Sequence, residues 1–60
     1  QNPWNGQRIR ELDISRQTII VMVRRKGNVL IPNGDLVLKE GDSIILYTQS
    51  SIGQANTIEV

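Results

Sequence analysis

The chain contains no cysteine and no histidine. The first absence excludes disulfide cross-links and thiolate metal sites. The second removes the commonest metal ligand and the usual general base. Together they make Ser-His and Cys-His nucleophilic pairs impossible. Phenylalanine is also missing, and one Trp and one Tyr are the only aromatic residues, so any core is aliphatic and thin. No apolar run approaches the roughly 20 residues needed to span a bilayer, and no signal-peptide pattern opens the chain. The glycines are isolated, which excludes a phosphate-cradling loop of the P-loop or dinucleotide type. Net charge is nearly absent as well. Seven Lys/Arg against six Asp/Glu leave +1, too little to imply a nucleic-acid partner.

Paired carboxylates for acid/base work would have to come from Asp13, Asp35, Glu40, Asp42 and Glu59. Asp35, Glu40 and Asp42 stand beside glycines, where a carboxylate caps a turn N–H. We therefore read the chain as a non-enzyme with no cofactor and no metal.

What is present is a short chain rich in Ile, Val and Leu. At 60 residues it makes one small domain near the lower size limit for folding alone. Without staples to reinforce it, oligomerisation or docking on a larger protein is expected. The "QNPWNG" start carries no initiator Met and is expected to be the edge of an excised piece. Residues 1–4 read as a linker remnant and 5–60 as the domain. Asn5 is placed to cap a short helix, with Trp4 packing on Ile9 as a hydrophobic staple.

"TIIVMVRR", Thr18 to Arg25, is the strongest strand signal. Its unbroken apolar run, Ile19 to Val23, implies a strand covered on both faces. Lys26-Gly27 supplies a turn, and Asn28 to Ile31 returns as the second strand of a hairpin. Pro32 ends that strand and takes the second position of a "PNGD" turn. "LVL" at 36–38 reads as a third strand and "SIILYT" at 43–48 as a fourth. Ser50 to Asn56 reads as a polar loop, followed by a terminal strand "TIEV". The expected fold is α+β: a small antiparallel, hairpin-rich domain with one short N-terminal helix.

Three segments in order, Gly6 to Ile14, Ile19 to Gly27 and Ile31 to Tyr47, resemble the TrkA C-terminal domain, also called the RCK C-lobe. The carrying motifs are "G-x-x-I-x-E-L-D-I", "I-I-V-M-V-x-R-x-G" and "I-P-N-G-D-x-V-L-x-x-G-D-S-I-I-L-Y". The resemblance covers about two-thirds of the chain. It implies a cytosolic regulatory module attached to a potassium channel, a cation/proton antiporter or a ClC-type chloride transporter. Such modules usually dimerise and can bind small ligands between two copies. The implied setting is a cytoplasmic domain of a membrane protein, partnered by its own copy and by the membrane-embedded transporter portion of the same chain. Family members that bind cyclic di-AMP match this chain at Ile19, Ile20, Arg25, Gly27 and Pro32. Leu30 and Ile31 stand where those members carry His and Asn, so cyclic di-AMP itself is expected to bind weakly or not at all. The expected ligand is a small anion or nucleotide.

"RRKGNVLIPNGD" stays open to two readings at this stage. Two arginines brought together at a twofold axis would invite a bridging phosphate or carboxylate. Alternatively, Arg24 and Arg25 form a solvated hairpin end whose aliphatic stems cover the sheet. A competing class, the swapped-hairpin DNA-binding antitoxins and transition-state regulators, shares the G-x-V-x-I-P and GD elements. It needs a helix between them, and Asn33 to Glu40 carries a turn and a strand signal instead.

Overall fold

The computed structural model describes residues 2–49 and 53–60. One antiparallel sheet dominates it. Its strands are β1 (Thr18–Arg25), β2 (Asn28–Leu30), β3 (Ser43–Thr48) and β4 (Gln54–Glu59), arranged in the order β2-β1-β3-β4. β1 and β2 are joined by a two-residue turn in which Lys26 (φ 50°) and Gly27 (φ 81°) are both left-handed. That twist matches the strands of a tight hairpin. The β1–β3 register shifts between Ile20 and Met22, a bulge that leaves Val21 as the extra residue.

Among the described residues, the sheet is covered on one face only. Val23, Leu38, Ile44 and Leu46 form the buried core, and Trp4, Ile9, Leu12, Leu36 and Ile58 pack around it. The cover consists of two segments that bond to each other. Gly6 N–H donates to Leu38 O (2.8 Å), Leu38 N–H to Gln7 O (2.9 Å), Ile9 N–H to Leu36 O (3.0 Å) and Arg10 N–H to Gly34 O (3.0 Å).

This pairing corrects two expectations. The N-terminal helix shrinks to a single 3-10 turn, Ile9–Glu11, because its amides are engaged across the cover and are not free for helical bonds. The fold is therefore mostly β. For the same reason "LVL" does not join the sheet; Val37 makes one antiparallel bridge with Arg8. Asn5 caps nothing, and the Asn2 side chain accepts the Trp4 N–H instead (2.8 Å).

Two boundaries also move. The turn expected with Pro32 at its second position lies further on, closed by Leu36 N–H to Asn33 O (3.1 Å). Asn33 Oδ1 supports it by accepting Asp35 N–H (2.9 Å). β4 starts at Gln54, inside the stretch read as loop, because its backbone pairs with β3 down to Thr48. The rest of that loop, Ser50 to Ile52, lies outside the described residues.

Candidate functional site

Antiparallel register brings the second arginine of the hairpin onto an acid. Arg24 pairs with Ser43 across β1 and β3, so the next position inward sets Arg25 opposite Asp42. Arg25 Nε donates to Asp42 Oδ1 (2.8 Å) and Nη2 to Oδ2 (2.8 Å). This two-pronged geometry fits a planar guanidinium to a carboxylate. Nη2 also donates to Val37 O (2.9 Å), and Asp42 Oδ2 accepts Lys39 N–H (2.9 Å). The Asp42 side chain is fully buried, while that of Arg25 is 26% exposed.

The hub therefore ties three parts of the chain: the β1 end, the Lys39–Asp42 turn and the cover strand at Val37. Hydrogen bonding from Arg25 holds the Asp42 carboxyl below its ordinary range, against the opposing effect of burial, and Lys39 N–H adds to the lowering. The same hydrogen bond raises the Arg25 guanidinium above its already high value. Asp42 does cap a turn amide, as its place beside Gly41 suggests, but it also holds a buried ion pair that turn chemistry alone does not reveal. The missed signal is parity. Asp42, Ile44 and Leu46 alternate on one face of the β3 line, as do Val23 and Arg25 on β1.

The five residues singled out in the sequence divide between two sides of the sheet. Ile20 packs against the core and Arg25 turns inward to Asp42. Ile19, 59% exposed, points to the opposite face, as adjacent strand residues must. Gly27 lies in the hairpin turn, and Pro32 is half-buried in the connection after β2. The hairpin end is thus not uniformly solvated: Arg24 is exposed and Arg25 is engaged. Among the described residues, one copy forms no enclosed pocket and no acidic cluster able to hold a metal ion.

The uncovered face is the second notable feature. Its rows run across the strands as Arg24–Ser43–Glu59, Met22–Ile45–Thr57 and Ile19–Tyr47–Ala55. Val29 extends the first row and is 63% exposed. Below that row the face is apolar except for Thr57 and the Tyr47 hydroxyl. Contiguous exposed apolar patches on soluble proteins are common interaction surfaces.

Comparison with known proteins agrees with the residue pattern. The profile of the TrkA-C domain matches residues 2–55. A Trk system potassium uptake protein TrkA homolog from Pyrococcus abyssi (strain GE5 / Orsay) is 34% identical over 47 residues. That alignment covers 77% of this chain and 21% of the relative, so the chain spans about a fifth of that protein's length. No solved structure matches.

Proposed function

The chain belongs to the TrkA-C domain family, and from that premise we propose that it is the cytosolic regulatory and dimerisation module of a potassium or other cation transporter. A ClC-type chloride transporter is the further host that the sequence motifs admit. We read residues 5–60 as the module and 1–4 as the segment leading into it, with Trp4 of that segment packed on the module's core. Its partners are a second copy and the membrane-embedded portion of the transporter. Among the described residues, no helix is long and apolar enough to cross a membrane.

The single observation that carries this reading is the family match over 2–55, and the uncovered apolar sheet face supports the dimer. A chain this small gains little by leaving such a face in water. The regulatory reading is tested by measuring potassium flux of the transporter that carries this chain, with and without residues 2–55. Transport that persists but no longer responds to cellular conditions is expected. Unaltered, still-regulated flux would overturn it.

We read the regulatory ligand as a small anion or nucleotide bound between copies, with Arg25, the Gly27 backbone, Ile19, Ile20 and Pro32 as its contacts. Among the described residues one copy supplies no enclosed pocket, and on this reading the second copy provides the other wall. Arg25 directs Nε and Nη2 to Asp42 and Val37, which leaves Nη1 as the group to meet an anion. Calorimetric titration with ATP, NADH and cyclic dinucleotides tests this. Binding that survives in a folded Arg25→Ala variant would remove Arg25 from the site.

A further inference from the structure

The uncovered face has a polarity that fixes how two copies can meet on it. Arg24 and Glu59 occupy one row, on the two strands that flank β3. At the usual strand spacing their backbones lie about 10 Å apart, and the two side chains form no ion pair with each other in this structure. Arg24 makes no ion pair among the described residues. Among the described residues, the Glu59 carboxylate accepts only the Ser43 hydroxyl, at 2.8 Å to Oε1 and 3.0 Å to Oε2. An unpaired cation and an unpaired anion therefore sit equidistant from β3, beside an apolar surface.

Side-chain size follows the same division. β1 presents Ile19 and Met22 to this face, whereas β4 presents Ala55 and Thr57 in the matching rows. One side of β3 is built up and the other is cut down.

We propose that two copies pack face to face about a twofold axis running along β3, so that Arg24 of each copy pairs with the partner's Glu59. Such an axis exchanges the strand on one side of β3 with the strand on the other. β1 of one copy lies over β4 of its partner, in the same row. Ile19 then rests on the partner's Ala55 and Met22 on the partner's Thr57, large against small in both cases. Tyr47 and Ile45 meet their own counterparts at the axis. Strand directions are preserved by this operation, which is the aligned arrangement that stacked twisted sheets favour.

Other axes fit worse. An axis along β1 sets Arg24 against Arg24 and leaves Glu59 unpaired. An axis across the strands drives Arg24 into the row of Ile19 and Tyr47, where an unpaired charge is costly. The face is about 20 Å on a side, or about 800 Å² for two copies, below the standard size of a specific interface, so a weak, concentration-dependent dimer is expected. This register rests on the dimerisation reading above and adds to it which surface pairs and how. It brings Ile19 into the seam but leaves Ile20 and Arg25 on the covered side of the sheet, so the ligand reading above does not follow from it and is tested separately.

Charge exchange in trans tests it, with sedimentation as the readout and circular dichroism confirming the fold. Arg24→Glu alone and Glu59→Arg alone each place like charges together, and each is expected to weaken self-association by about tenfold or more. Mixed, the two variants present Glu against Arg at both contacts, so a heterodimer of near wild-type affinity is expected. A Glu59→Arg protein that dimerises like the wild type would overturn the register while leaving dimerisation intact. A wild-type chain that stays monomeric at several hundred micromolar would remove dimerisation itself and this register with it. Should Glu59→Arg fail to fold, Ala55→Trp serves in its place. It fills the space assigned to the partner's Ile19 and should abolish the dimer; an unchanged dimer would overturn the register.

Discussion

The two faces of this sheet are made from the same strands and similar residues, yet one is a core and the other is open. On β3, Ile44 and Leu46 are buried, while their neighbours Ile45 and Tyr47 face outward. On β1, Val23 is fully buried and Ile19 is 59% exposed. Apolar content does not separate the faces. The inner face is a core because residues 4–12 and 34–42 are laced over it, and the Arg25–Asp42 pair fastens that cover to the sheet. The outer face has no such cover among the described residues. A hydrophobic strand pattern therefore reports that a face seeks a partner and is silent on whether the partner is internal.

Matched truncations on one strand should separate the two faces most clearly. Ile44→Ala should cost about 3 kcal/mol, the usual price of a buried aliphatic cavity, and in a domain this small that removes much of the total. Ile45→Ala should cost under about 1 kcal/mol in the monomer. Urea melts of both variants at low concentration check the contrast; equal losses would show that the outer face is covered in the monomer after all.

A slightly smaller effect is expected from unfastening the cover. Asp42→Ala should cost about 2–3 kcal/mol, because it removes a buried partner of a charge. The loss is held below the buried-pair maximum because Arg25 can turn to water. Backbone hydrogen exchange should rise first at Gly6, Leu38 and Lys39. Uniform protection across sheet and cover would show that the pair does not hold them together.

The same pair gives an acid dependence. The folded-state Asp42 pKa lies below its ordinary value of 3.8, so the group contributes stability that is fully present above that value. The contribution is lost as pH falls below about 4 toward the depressed folded value. Arg25, raised further from an already high value, stays charged throughout. Stability measured from pH 6 down to 3 should therefore fall at the acid end in the wild type and fall less in Asp42→Asn. Parallel curves would assign the acid sensitivity to other carboxylates.

On the outer face a backbone constraint supplies a further contrast. Gly53 has φ 68°, and a Cβ there would collide with the Tyr47 hydroxyl. Gly53→Ala should cost about 1 kcal/mol and displace Tyr47, seen as a change in its fluorescence anisotropy or ring chemical shifts. The smallest effect belongs to the Arg10–Asp35 pair, whose side chains are 61% and 72% exposed. Asp35→Ala should change stability by less than about 0.5 kcal/mol, since this pair lies in water while Arg25–Asp42 does not.

Much of the sheet was legible. β1 announces itself by an apolar run, the Lys26–Gly27 turn by its glycine, and β3 by apolar alternation after Gly41-Asp42. The helix expected near Ile9 and Leu12 was misread for a physical reason. Two apolar residues three apart suit a helical face, but they suit equally a 3-10 turn whose flanking amides bond to another segment. β4 was placed too late because Gln54, Ala55 and Asn56 are poor strand formers and are held in the sheet by pairing with Leu46, Tyr47 and Thr48. Among the candidate site residues, Gly27 was readable from local chemistry. The division of Ile19, Ile20 and Arg25 between two faces was also implicit in strand parity, once the bulge at Val21 is known.

By itself the sequence determined the absence of Cys- and His-based chemistry, the hairpin at Lys26–Gly27, the order of the main strands and the family. These depend on residue type and on spacing along the chain, which are local properties. Only the tertiary structure decided that residues 6–10 bond to 34–38, that Val21 bulges and that Arg25 is spoken for by Asp42. Each of these joins residues distant in sequence, and the free energy that selects them comes from burying one face of the sheet and satisfying the polar groups buried with it. A linear pattern records which groups need a partner; the partner is chosen when the chain closes on itself.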